Sequence, residues 1–198
     1  MTVEKADVSP EFELMSSRLR LRRLRLSDAA AICAYRSLPE VARYQSWDSY
    51  TPADADELID RQLRVVPNTP GTWLQLALTV KPTGELIGDC GIHFRQDEFQ
   101  QVEFGITLAP MHQGQGFASE AVSALLDYIF GRLDKHRATA LTDADNLAAA
   151  RLFRSLGFRQ EAHYIDHVWF KGAWTSEYRF AMLRHEWRPG GSQPGDES

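Results

Sequence analysis

The residues with the clearest capacity for chemistry lie in the run Ala109 to Ala121, APMHQGQGFASEA. Gly114 and Gly116 stand where a strand-like stretch closed by Pro110 hands over to a helix-like one. Glycine carries no Cβ, so a bulky ligand can approach the main chain there. The amides of 113–118 would point toward the open N-terminus of the next helix, where N–H groups lack intrahelical partners and the helix dipole is positive. Such a turn can hold a phosphate or pyrophosphate without a basic side chain, although it also serves as a tight turn and nothing more. Two familiar phosphate patterns are excluded. A Walker loop needs Gly-Lys-Ser/Thr, and a Rossmann fingerprint needs a third glycine, whereas Gly116 is followed by Phe117, Ala118 and Ser119.

The elements that must position this turn follow from periodicity. SRLRLRRLRL alternates leucine with arginine and predicts a half-buried strand whose Arg18, Arg20 and Arg22 form a solvated face. SDAAAICAYRS predicts a helix capped by Ser27 or Asp28, and TPADADELIDRQLRVV a second one with Pro52 at its first position. TWLQLALTV, ELIGDCGIHF and QQVEFGITLA read as an antiparallel meander, its first turn at Lys81-Pro82-Thr83-Gly84. A helix from Gly116 to about Arg132, the strand RATALT, a helix over DADNLAAARLFRSLGF and a closing hairpin around KGAW complete the order β-α-α-β-β-β-α-β-α-β-β.

At 198 residues, 43% hydrophobic and 25% charged, the chain fits one ordinary globular domain. The expected organisation is a flexible arm at 1–16, one domain over 17–187 and a disordered tail at 188–198. A net charge of −5 argues against nucleic acid as the main partner and suits a cationic amine. Cys33 and Cys90 are far apart without CxxC spacing, as reduced apolar residues of a cytoplasmic protein would be, and no metal site is implied. Neither a secretory leader nor an apolar run of about 18 residues is evident, so no membrane association is expected.

Gln113-Gly114-Gln115-Gly116-Phe117-Ala118 resembles the Q/R-x-x-G-x-G/A signature of the GNAT superfamily of acyl-coenzyme A N-acyltransferases. GELIGDCGI, EFGITLAP, GQGFASEAVSALLDYIF, TDADNLAAARLFRSLGFRQEA and the closing GAW…EYRFAMLRHEW are similar, in order, to its ribosomal-protein alanine N-acetyltransferase (RimJ/RimL-type) branch, from Ser17 to Trp187. The resemblance implies a mixed α/β fold in which helices flank a largely antiparallel twisted sheet with splayed central strands. It implies acetyl-CoA as acyl donor, a primary amine as acceptor, direct attack in a ternary complex, and allows a homodimer. By the same resemblance, Gln113, Gly114, Gln115, Gly116, Phe117, Ala118 and Ser119 hold the pyrophosphate. Ile106, Thr107 and Leu108 bind the pantetheine arm, and an amide at Thr107 or Leu108 polarises the thioester. Asn146 occupies the family's coenzyme-contacting position, where an ordinary N-cap is the alternative, and Phe153 that of a tyrosine near the thiol.

An alkylammonium acceptor with a pKa near 10.4 must lose a proton before attack, so a general base is expected. Glu103, on the strand face opposite Val102, Phe104 and Ile106, is the first candidate, with His93 and Asp89 behind it. The serine that this branch carries three residues after the asparagine is Ala149 here, and Phe153 replaces the tyrosine of other members. Ser155, Tyr128 or water remain as proton donors to the thiolate. The missing hydroxyls also leave open a non-catalytic acyl-CoA-binding module, and the glycine turn alone leaves open a nucleotide phosphate-binding domain.

Overall fold

The computed structural model describes residues 12–189. The elements are β1 (Glu13–Met15), β2 (Leu19–Arg23), α1 (Ala29–Arg36), α2 (Pro39–Ala42), α3 (Pro52–Gln62), β3 (Thr72–Val80), β4 (Leu86–Phe94), β5 (Gln101–Leu108), α4 (Phe117–Leu126), β6 (Arg137–Asp143), α5 (Leu147–Ser155), β7 (Arg159–Phe170) and β8 (Ala173–Leu183). They make an eight-stranded mixed sheet in the order β1-β2-β3-β4-β5-β6-β8-β7. Among the described residues only β5 and β6 are parallel neighbours. Helices cover both faces, and this is the GNAT fold that the sequence resembled.

Alternation along β3 shows how the faces are divided. Leu74, Leu76 and Leu78 enter the main core with Phe104, Leu125, Ile129 and Phe153, beneath α4 and α5. Ala77 faces the other way, against Ile32 and Tyr35 of α1 and Ile59 of α3. Pro52 opens α3 as expected, and Thr51 caps it: Thr51 Oγ1 accepts from the Asp54 N–H at 3.3 Å and Asp54 Oδ2 accepts from the Thr51 N–H at 2.7 Å. Gly157 closes α5 at φ 84°, with the Phe158 N–H reaching back to Phe153 O at 3.0 Å.

Three expectations are modified. Glu13–Met15, within the expected flexible arm, pair with β2, while residues 1–11 and the tail from 190 lie outside the described residues. Asp28 holds the N-cap position of α1 but makes no side-chain cap bond there. Its carboxylate accepts from the Arg25 N–H at 2.8 Å and pairs with buried Arg22 at 2.7 Å. The arginine face of β2 is therefore not simply solvated: Arg22 is ion-paired, Arg23 donates to the carbonyls of Gln62 and Val65, and Arg18 reaches the glycine turn. Among the described residues, no helix is long and apolar enough to cross a membrane.

Candidate active site

The site forms where β5 and β6 part. Their pairing ends at Glu103 with Thr139, although β5 continues to Leu108 and β6 to Asp143. The Ala109 N–H donates to Ile87 O on the β4 side at 2.9 Å, and the His136 N–H donates to Gln100 O on the β6 side at 2.9 Å. Backbone polar groups alternate sides along a strand, so those of Phe104, Ile106 and Leu108 face the gap. Thr107 and Gly105 present theirs to β4. Of the two amides expected to polarise a thioester, this alternation aims Leu108, together with Ile106, into the opening and turns Thr107 away.

The gap opens into a cavity on each face of the sheet. On the α4/α5 side runs a groove of about 580 Å³, between Leu108, Gln113, Gly114, Gly116, Ala118 and Ser119 on one bank and the α5 residues Ala148, Arg151, Leu152 and Ser155 on the other. On the α1 side lies a cavity of about 430 Å³ whose floor includes Gly91 and Gly105. Tyr44, Gln45, Ile106, Thr107, Asn146 and Ala149 line both and mark their junction.

The glycine turn has the geometry an anion site requires. Gly114 and Gly116 adopt φ 72° and 79°, a left-handed backbone that side chains disfavour. A Cβ on Gly114 would meet nothing within 4 Å, so that position faces open space. Gly116 is the side-chain-free N-cap of α4, and the first intrahelical bond runs from the Glu120 N–H to Gly116 O at 3.1 Å. The N–H groups of Phe117, Ala118 and Ser119, one turn ahead of it, are left to a ligand. The Gln113 amide is engaged with Pro110 O at 3.1 Å, and its side chain donates to Leu108 O at 3.0 Å, tying turn to strand. Phe117 is buried and Gln115 lies outside the groove lining, so both support the turn from behind.

A basic side chain, unexpected from the sequence, does brace this turn. Arg18 stacks on Phe117 at 4.3 Å, donates to Gln115 O at 3.1 Å and pairs with Glu120 at 2.7 Å. Burial would raise the Glu120 pKa, but the bonds from the Arg18 amide, Ser16 hydroxyl and Arg18 guanidinium hold it below the usual carboxylate value.

Asn146 is an N-cap, its Oδ1 accepting from the Ala149 N–H at 3.1 Å, and it also lines both cavities. Phe153 packs among Phe104, Phe158 and Phe180 with ring centroids 5.9, 5.6 and 5.3 Å away, yet reaches the wall of the α1-side cavity. Tyr128 belongs to the core, edge-on to Phe12, and burial pushes its phenol up to about 12. Ser155 Oγ donates to Leu152 O at 2.8 Å, along the groove.

The structure separates the expected base candidates. Asp89 lines the α1-side cavity but is 1% exposed and fully engaged: it accepts from the Tyr35 hydroxyl and the Gln75 amide and pairs with Arg36 at 2.5 Å. Burial would lower the Arg36 pKa, but Asp89 more than offsets it and holds the guanidinium charged. His93 stacks flat on Trp73, centroids 4.8 Å apart, and Glu103 sits beside it in the ladder between β4 and β6. Neither lines either cavity.

Gln45 and Glu177, given no role by the sequence, do line the α1-side cavity. Gln45 donates to Thr107 Oγ1 at 3.4 Å, and Glu177 of β8 joins Trp47, Trp73 and Phe170 in the wall. Trp169 and Trp174 pack against each other on the exposed outside of the hairpin. No local pattern marks Glu177 or Gln45, because each reaches the site only through sheet order or a loop crossing. Among the described residues there is no group of His, Cys, Asp and Glu that could hold a metal.

Comparison with known proteins agrees with this architecture. The model of the acetyltransferase (GNAT) domain matches residues 18–159. An uncharacterized N-acetyltransferase p20 of Bacillus licheniformis is 35% identical over 175 residues, spanning 88% of this chain and 97% of that protein. A GNAT-family acetyltransferase structure from Bacillus anthracis superposes with TM-score 0.80 at 23% identity, covering 88% of this chain and 100% of that one. The spermidine N-acetyltransferase of Vibrio cholerae, solved with CoA and spermine, superposes with TM-score 0.74 at 24% identity over 86% of this chain and 98% of that one. A glycine turn at the head of α4, a split parallel pair beside it and a family match over most of the chain lead to one conclusion: this protein belongs to the GNAT acetyltransferases and is an N-acetyltransferase.

Proposed function

We propose that the protein transfers the acetyl group of acetyl-CoA to a primary amine by direct attack in a ternary complex, as a cytoplasmic enzyme of the RimJ/RimL-type branch. The observation that carries this reading is the junction of the two cavities along β5. A thioester laid along Ile106–Leu108 from the α4/α5 side is open to an amine entering from the α1 side. The N–H groups of 114–119 and the α4 dipole hold the pyrophosphate, with Arg151 adding positive charge on the α5 bank. The gap-facing backbone groups of Ile106 and the Leu108 N–H bind the amide-bearing pantetheine arm as an added strand. One of those amides stabilises the oxyanion as it develops.

A thiolate with a pKa of roughly 8.5 can depart without a hydroxyl at 149 or 153. Tyr44, whose hydroxyl donates to Asp145 O at 3.3 Å, supplies a proton donor at the junction. Trp47, Trp73 and Phe170 beside Glu177 and Asp143 suit an ammonium with an apolar body. Polyamines and N-terminal peptides are the acceptors to screen first.

The test compares acetyl-CoA, CoA and ATP as stabilisers of the wild type and of Gly114→Asn, a residue that tolerates the left-handed backbone. Acetyl-CoA is expected to raise the wild-type Tm more than ATP does, the variant to fold but lose that rise, and a screened amine to release CoA thiol. Equal responses to ATP and acetyl-CoA, or none, would overturn the reading.

A further inference from the structure

Glu103 and the acyl-transfer centre are separated along β5. At about 3.3 Å per residue, Thr107 lies roughly 13 Å beyond Glu103. Register carries a different carboxylate to the level of the centre. Thr139 stands opposite Glu103, so Asp143 of β6 lies across the gap at about the level of Thr107, and Asp143 pairs with Glu177 on β8. Both carboxylates line the α1-side cavity together with Asp89. Asp89 is consumed by Arg36, Tyr35 and Gln75, and Asp143 Oδ1 accepts from the Asp145 N–H at 2.7 Å to close the turn into α5. Glu177 Oε2 is instead held at 2.8 Å by His167 Nε2 of β7, a ring 38% exposed to solvent.

Building on the acetyl-transfer reading, we propose that Glu177 is the general base that deprotonates the acceptor amine, and that His167 positions its carboxylate and conducts the proton to solvent. The acceptor enters as an ammonium. Glu177 takes one N–H proton, leaving a neutral amine whose lone pair forms the N–C bond at the thioester carbonyl. The tetrahedral intermediate collapses, the C–S bond breaks, and the second nitrogen proton reaches the departing thiolate by way of the Tyr44 hydroxyl. The products are amide and free CoA thiol, and the proton on Glu177 returns to solvent past His167.

The surroundings suit a base. Burial, then Asp143 of β6 and Glu103 of β5, raise the Glu177 pKa above 4.5, while His167 of β7 and Arg179 of β8 oppose the rise. Activity should therefore climb as pH rises through this elevated value, and removing the His167 side chain, which opposes the rise, should move that limb to higher pH.

The experiment measures kcat/KM against pH for wild type, Glu177→Gln, His167→Ala and Glu103→Gln, with acetyl-CoA thermal shifts as a check on folding and donor binding. Glu177→Gln is expected to keep the thermal shift, lose about 10²–10⁴-fold in kcat/KM, and retain only the pH dependence of the amine itself. His167→Ala should retain partial activity with its acid limb displaced upward. Full activity in Glu177→Gln, or loss of the acid limb only in Glu103→Gln, would overturn the assignment to Glu177. A wild type that transfers acetyl to no amine would instead overturn the acetyl-transfer reading beneath it.

Discussion

Glu103 and Thr139 are the last partners of the parallel β5–β6 ladder, and the junction of the two cavities lies beyond them. Beyond this pair the two strands no longer bond each other; Leu108 O is taken by the Gln113 side chain and Asp143 O by the Asn146 N–H, while the Ile106 groups face the opening. Those groups carry a desolvation cost if buried without partners, so an amide-bearing ligand that supplies hydrogen bonds is favoured there.

Gly105 tests the division between the two cavities. It lines the α1-side cavity and not the groove, and a Cβ there would meet nothing within 4 Å. Gly105→Val should leave the fold intact or stabilise it by about 0.5–1 kcal/mol, since glycine within a strand is unfavourable. The acceptor KM should rise roughly tenfold or more as the cavity narrows, with the acetyl-CoA thermal shift unchanged. Steady-state kinetics with calorimetry of donor binding decides it.

Asp89 tests whether the buried carboxylate holds structure or moves protons. Asp89→Asn leaves Arg36 buried without its counter-ion, expected to cost about 3–5 kcal/mol. For a domain of this size that lowers Tm by roughly 6–20 °C. The acid limb of kcat/KM should survive in the folded variant, and its disappearance would give Asp89 a catalytic role.

Lys171 latches the β7–β8 hairpin over the α1-side cavity. Its Nζ donates to Ala42 O at 2.8 Å and Trp47 O at 2.5 Å, with Asp48 at 3.2 Å. Lys171→Ala should speed amide exchange across Val168–Thr175 and raise the acceptor KM, while donor affinity stays as in wild type. An unaltered exchange pattern would show that the hairpin holds its place without the latch.

The sequence made most of the frame legible. Alternation located Leu19 and Leu21 in a strand, Pro52 announced α3, and Gly157 ended α5, because these signals act through neighbours within a few residues. Gly114 and Gly116 likewise declared a turn that only glycine occupies comfortably. The role of Arg18 at that turn was hidden, since its partners Gln115 and Glu120 lie about a hundred positions away. Asp28 was located at the head of α1, but its carboxylate is spent on Arg22 and the Arg25 N–H rather than on the first turn of the helix.

What the sequence determined by itself was therefore the order of the elements other than β1 and α2 and the anion turn, through local backbone preference and periodicity, and the family, through the resemblance of its motifs. Tertiary structure alone decided where β5 and β6 separate, which amides face that gap, and which carboxylates reach it. Register and strand order set those distances, and they brought Glu177 of the last strand level with Thr107 while sealing Asp89 beneath Arg36.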